Sequence, residues 1–246
     1  LIGSGEVGGV RFVDDFDITP QTEPTTEGNW GNYKAFSSTG GTLKPATPVR
    51  GGIITLGSDG DDEGASLSTS SPAFQLNNAE GKFWMEARVK VDTIAVTKYD
   101  AFIGLGEKMT LTATVPITAT AGAMADKNLC GFLRPGTGTA GDGSLLRWMY
   151  KADSVTAVTI VDTAAQFVAD TFIKLGMKFN PVDGYLVAYV NGVPLTTKKL
   201  LPASSGTDFP ADVLMGPLAA VVNTVGSITS VFTIDWWRFA QLDAAQ

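Results

Sequence analysis

The chain has 246 residues, 44% of them hydrophobic, with 28 glycines, one cysteine, no histidine and a formal net charge of −7, a size that suits one large all-β domain or two small ones. Without histidine, Ser-His-Asp and Cys-His catalysis and every His-dependent metal site are excluded, and the lone Cys130 excludes an intrachain disulfide and a cysteine-based zinc site. The negative charge disfavours nucleic acid and anionic membranes as partners, and no apolar run reaches the length of a transmembrane helix.

Residues 1–10, LIGSGEVGGV, are Gly-rich and read as an N-terminal arm. No basic-then-apolar leader pattern is present in them. Leu1 and Ile2 are the arm's apolar means of docking on a neighbouring subunit. Residues 11–246 read as a single domain, because no linker or 20–50-residue repeat divides them. VRFVDDFDI opens that domain, and TPQTEPTTEGNWGNY follows as a long loop carrying Trp30 and Tyr33. GGIITLGSDGDDEGASLST reads as a strand, an acidic turn and a strand. GKFWMEARVKVD alternates strictly: Phe83, Met85, Ala87, Val89 and Val91 share one face, and Trp84, Glu86, Arg88 and Lys90 share the other. That is the pattern of a strand with one face in a core. AFIGLGE is a strand whose glycines suit a close neighbour. TLTATVPITATAGAMADKN, rich in Thr and Ala, reads as an extended insertion or a projecting hairpin.

Cys130 in KNLCGFL is expected as a small buried apolar residue. Leu145–Tyr150 and Thr156–Val161 form a hairpin around KADSV. TFIKLGMKFNP alternates again, with Lys174, Gly176 and Lys178 opposed to Ile173, Leu175, Met177 and Phe179. VDGYLVAYVNGVPL is a strand ending in an Asn-Gly hairpin turn. The closing strand, SVFTIDWWRFAQL, holds adjacent tryptophans. Strict alternation puts Trp236 in the core and Trp237 under a loop or at a subunit contact. Between ten and fourteen strands are expected.

Three segments carry candidate chemistry. Asp59, Asp61, Asp62 and Glu63 in SDGDDEG supply oxygens suited to Ca²⁺, the alternative being a solvated acidic turn. Trp84 stands among Glu86, Arg88 and Lys90, as an indole does where it stacks a sugar ring; with Trp30 and Tyr33 it forms a candidate glycan site. The alternative there is an indole covered by a strand or loop. Asp15 and Asp17, with Asp14 beside them, are the nearest approach to a carboxylate pair, and they read as strand-end residues. No phosphate-binding loop is present, since GTGTAGDG lacks a following Lys-Ser/Thr and a helix.

The order of VDDFD…NW, EGKFWMEARVKVD, FIKLGMKFNPVDGYLVAYVNGVPL and TIDWWRFAQL resembles the concanavalin A-like jelly roll, the β-sandwich of legume lectins, laminin-G-like domains and family 16 glucanases. The resemblance implies an all-β jelly roll with loop insertions. Those glucanases need Glu-x-Asp-x-Glu on one strand; the matching strand here offers Glu86-Ala87-Arg88, so an enzyme is not expected. GGIITLGSDGDDEGASLSTSSPAFQL, GKFWMEARVKV, LTATVPIT…ADKNLCGF and YKADSVTAVTI resemble a family of tailed-phage virion proteins. This implies a decoration (cement) protein on the outer surface of a capsid, made in the host cytoplasm. The partners so implied are the major capsid protein and further copies of the chain, as a homotrimer. A glycan-binding module of a head or tail fibre is the alternative. The stretches Leu111–Ala125 and Val213–Val225 look too apolar for solvent loops and are expected at subunit contacts.

Overall fold

The computed structural model describes residues 8–16, 27–30, 32–45, 52–95, 99–113, 115–118, 123–136, 142–155, 159–202, 209–224 and 229–243. Leu1 and Ile2, Asp17 and residues 137–141 lie outside these. The described residues form sixteen strands and one short 3-10 turn. In the first half these are β1 (Gly9–Asp14), β2 (Gly28–Trp30), β3 (Tyr33–Ser37), β4 (Gly41–Pro45), β5 (Ile54–Ser58), β6 (Gly64–Thr69), β7 (Phe83–Val91) and β8 (Tyr99–Glu107). Then follow β9 (Leu129–Arg134), β10 (Leu145–Lys151), β11 (Thr159–Ala165), β12 (Ile173–Asn180), β13 (Tyr185–Val190), β14 (Val193–Leu200), β15 (Met215–Asn223) and β16 (Ser230–Leu242). The count exceeds the expectation because the segment read as one long loop contains β2, and β3 and β4 follow it directly. Gly9 already pairs with Leu242, so sheet structure begins inside the stretch read as an arm.

Two antiparallel sheets face each other. Sheet A runs β14–β13–β12–β7–β16–β5–β4, and β1 joins it along the second half of β16. Sheet B runs β11–β10–β9–β8–β15–β6–β3–β2. Their inner faces make one core. From sheet A it takes Phe83, Met85, Ala87, Val89, Leu175, Met177 and Phe239; from sheet B it takes Ile103, Leu105, Phe132, Trp148 and Val221. The turn between β13 and β14 is the Asn-Gly hairpin read from the sequence. Asn191 and Gly192 have φ of 51° and 82°, the left-handed pair such a turn requires. Gly104 of β8 lies opposite Gly131 of β9. A Cβ on Gly104 would stand 2.4 Å from the Cys130 carbonyl oxygen, which explains a glycine within this strand. Cys130 is buried as expected, its Sγ 4.0 Å from Met177 Sδ.

The outer faces of the two sheets differ. In β7 every second residue is buried, and β12 alternates over most of its length. In β15 all nine residues are buried, as are the first eight of β8 and all six of β9. The middle of sheet B, at β8, β9 and β15, is therefore covered on both sides. The cover comes from the Thr/Ala-rich segment, whose described residues pack on the sheet. Leu111, Ile117 and Met124 from it pack on Phe102, Leu129, Leu133, Met149, Leu218, Ala220 and Val222 as a second core. A small hairpin holds the segment in shape, with Ala125 N donating to Pro116 O at 2.8 Å. Much of the apolar surface expected at subunit contacts is thus used inside the chain: Leu111, Ile117 and Met124 pack on Leu218, Ala220 and Val222, and Met215, Ala219 and Val221 face the main core.

The double tryptophan is corrected too. Trp237 is fully buried and Trp236 is half-buried. Ile234 pairs with Val89 and Trp236 with Arg88, leaving Asp235 as an extra residue, a β-bulge. The bulge shifts the alternation by one, so Phe232, Ile234, Trp237 and Phe239 all face the core. Trp237 is the centre of an aromatic group, 5.5 Å from Phe16, 5.8 Å from Tyr33 and Phe239 and 6.3 Å from Phe12 between ring centroids. Its Nε1 donates to Tyr33 Oη at 3.3 Å, and Tyr33 Oη donates to Asp14 Oδ2. Trp237 is thus not at a subunit contact.

Candidate functional site

Among the described residues the outer face of sheet A is left open around a groove of about 720 Å³. Antiparallel register builds it in rows. One row runs Tyr189 (β13), Gly176 (β12), Glu86 (β7), Arg238 (β16) and Val13 (β1). The next runs Val187, Lys178, Trp84, Ala240 and Arg11. Gly176 and Ala240 contribute little or no side chain, so the middle of the groove is hollow beside Trp84 and Glu86. Trp84, Glu86 and Tyr189 are half-buried, whereas Arg11, Lys174, Lys178 and Arg238 are exposed.

Charges around the groove fall into two groups. Arg88 pairs with Asp235 and lies 4.2 Å over the Phe172 ring; Lys90 pairs with Asp170 at 3.5 Å. These two cations are neutralised. Arg238 stacks 4.4 Å over Trp236, which holds its guanidinium at the groove. Among the described residues, Arg11, Lys174, Lys178, Arg238 and Glu86 form no ion pair within 4.0 Å.

The sequence-predicted residues are brought together only in part. Trp84 lines the groove, as its alternation with the core residues implies. Trp30 and Tyr33 do not join it. They are buried on the inner side, 2% and 4% exposed, and Tyr33 is held between Asp14 and Trp237. The correction follows from β2 and β3 pairing as a hairpin of sheet B, which turns both rings inward. Asp14 is likewise an internal partner of Tyr33, while Asp15 is exposed.

In the acidic turn the four carboxylates are spread out. Asp59, Asp61 and Asp62 are exposed, and Glu63 Oε2 accepts from Gly40 N at 3.2 Å. Among the described residues, no three acidic side chains converge as a metal site would require. Asp62 adopts φ of 57°, and its N donates to Asn223 O at 2.9 Å, so the turn is tied to the end of β15.

Buried ionisable groups lie away from the groove. Burial raises the Tyr33 hydroxyl far above its ordinary range, and its hydrogen bond to Asp14 adds to this. Burial also raises Tyr99, against the opposing charge of Arg134. The Cys130 thiol is pushed up to about 12 by burial, so it is neither a nucleophile nor a ligand at neutral pH.

No protein-family model matches the chain, and no curated protein matches it. Solved structures do. The carbohydrate recognition domain of Emp47p superposes with a TM-score of 0.59 at 13% identity, covering 93% of this chain and 94% of that one. The Bacillus licheniformis β-glucanase gives 0.52 at 13%, covering 96% and 98%.

The fold is a concanavalin A-like β-sandwich.

A carbohydrate esterase of the Shiga toxin-encoding bacteriophage phi24B gives a TM-score of 0.51 at 17% identity, covering 91% of this jelly roll and 98% of that chain. These identities speak for the fold alone.

Lys174, Lys178, Tyr189, Arg238 and Arg11 were not singled out as site residues from the sequence. Alternation within β12 gives the outward direction of the lysines. The rows that join them to Trp84 depend on strand order, which no local pattern encodes.

Proposed function

We propose that this jelly roll is a carbohydrate-binding protein that holds a glycan in the groove on sheet A without cleaving it. The observation that carries the reading is the open groove itself. It is a hollow with an indole and a phenol ring among hydrogen-bonding side chains, on a sheet face left open among the described residues. Aromatic faces with a few placed polar groups are what a sugar ring needs. Two neighbours of the fold are a carbohydrate recognition domain and a β-glucanase, which is consistent with this reading. Hydrolysis by paired carboxylates is not supported, because Glu86 is the one carboxylate lining the groove among the described residues and the mechanism needs two.

A glycan array probed with the wild-type chain and with Trp84→Ala tests the proposal. Binding that disappears in the variant is expected. The absence of binding to any glycan, or release of reducing ends from a bound one, overturns it.

The second reading is a virion structural protein, a decoration subunit contacting a major capsid protein and its own copies on the outer shell. The four sequence segments resembling tailed-phage virion proteins support it, and a glycan-binding role on a particle is compatible with it. The apolar stretches expected to serve subunit contacts lend it little support, since most of their described apolar residues are packed in the two cores of the chain. Particles of unchanged composition and thermal stability when the gene is deleted would exclude it.

A further inference from the structure

The charge at the groove runs against the charge of the chain. The protein carries a formal net charge of −7. Yet the groove is lined by Arg11, Lys174, Lys178 and Arg238, with Glu86 as its single carboxylate among the described residues. The nearby cations whose charge is satisfied, Arg88 and Lys90, have acidic partners in Asp235 and Asp170. The four at the groove have none among the described residues. Four cations against one carboxylate give this hollow a sign opposite to that of the whole chain.

We infer that the groove selects an acidic polysaccharide, one whose rings carry carboxylates, and that Arg11, Lys174, Lys178 and Arg238 read those charges. The inference rests on the glycan-binding reading and adds the ligand class. The cations stand on two banks. Lys174 and Lys178 lie on β12, on either side of Gly176. Arg238 and Arg11 lie on β16 and β1, two and three strands away in the sheet order, roughly 10–15 Å at the usual interstrand spacing. Trp84 and Glu86 occupy β7 between the banks. A ligand matching this places anionic groups at both sides and an apolar ring face with hydroxyls in the middle, where Glu86 accepts.

A chain of uronic acids meets that description, with one carboxylate per ring and hydroxyls between. A densely sulfated chain fits less well, because it would set negative charge against Glu86. Arginine adds preference as well as attraction, since its planar fork matches a carboxylate with two parallel hydrogen bonds. The stack of Arg238 on Trp236 limits the freedom lost on binding.

Isothermal titration with four probes tests the inference. They are oligogalacturonate, the same oligomer fully methyl-esterified, a sulfated oligosaccharide of similar length and a neutral β-glucan oligomer. The expected result is tightest binding of oligogalacturonate, weakening as salt is raised. Lys174→Ala with Lys178→Ala, and Arg238→Ala separately, should each weaken it by roughly tenfold or more, the scale of losing a charge-assisted contact. Equal binding of the charged and esterified oligomers, indifferent to the lysine and arginine variants but lost in Trp84→Ala, would overturn the inference while leaving the glycan site standing. Tightest binding of the sulfated probe would overturn the carboxylate preference. Binding of no probe, or binding that survives Trp84→Ala combined with a groove-filling Gly176→Phe, would overturn the glycan site itself.

Discussion

Deletion of Asp235 should be far better tolerated than deletion of a neighbouring residue on the same strand. Removing one residue from the interior of a strand ordinarily turns every following side chain to the other face. In β16 the in-and-out order already breaks at Asp235, which lies between the pairs Ile234–Val89 and Trp236–Arg88. Without Asp235 the order becomes regular: Phe232, Ile234, Trp237 and Phe239 still face inward, and Trp236 and Arg238 still face outward. What is lost is the ion pair with Arg88, whose side chains are 41% and 18% exposed. A pair that open to solvent contributes about 0.2–1 kcal/mol. Allowing for local rearrangement of the ladder, the total is about 1–2 kcal/mol, or roughly 2–8 °C in Tm for a domain of this size. Deleting Arg238 instead turns Phe239 outward or drags Trp237 out. Either loses a fully buried aromatic, about 3–5 kcal/mol before further damage. Urea unfolding of the two deletions, with Asp235→Ala as the measure of the ion pair alone, checks this. If the Asp235 deletion is as destabilising as the Arg238 deletion, the bulge does not set the phase of the strand, and the account of the double tryptophan fails.

Ile117→Asp should put a charge into the second core and undock the Thr/Ala-rich cover, leaving the main sandwich folded. Its signature is increased dye binding and concentration-dependent association beyond that of the wild type, read by light scattering; a variant whose association and dye binding match the wild type shows that the cover is dispensable. Stability should be pH-dependent in alkali, because Tyr33 and Tyr99 are held protonated in the fold while unfolded tyrosines ionise near pH 10. Their contribution is fully present below about pH 10 and drains away as pH rises above it, since the folded chain then binds more protons than the unfolded one. Urea midpoints across this range should fall, and less steeply in Tyr99→Phe; identical slopes in both proteins would refute the assignment.

The sandwich was legible where one face of a strand is wet. β7 and most of β12 alternate because water lies on one side and the core on the other, and β13 announces itself through Asn191-Gly192. Sheet B was harder to read. A strand buried on both sides has no alternation to show, and the apolar run of β15 looked like a surface in need of a partner subunit. Its partner is a segment about a hundred residues earlier in the chain, and no local pattern reports that pairing. The short strands β2 and β3 hid for a related reason. GNWGNY has the composition of a loop, and only the pairing of β3 with β6 makes it sheet.

The candidate site shows the same division more sharply. Trp84, Glu86 and the two lysines of β12 each point outward by alternation, so their exposure follows from the sequence. Their neighbourhood does not, because Trp84 meets Lys178 on one side and Ala240 on the other only through a particular order and register of three strands. Arg238 is the decisive case. Strict alternation from Phe232 and Ile234 puts it on the inner face, where an arginine without a partner would be costly. A one-residue bulge moves it to the groove and sends Trp237 inward in the same step. The choice of face for two adjacent tryptophans and for the groove's arginine is therefore one physical decision, made at Asp235. Regular pairing through that point would bury a guanidinium and expose the indole that now anchors Tyr33, so the chain gains on both counts by giving up one ladder position.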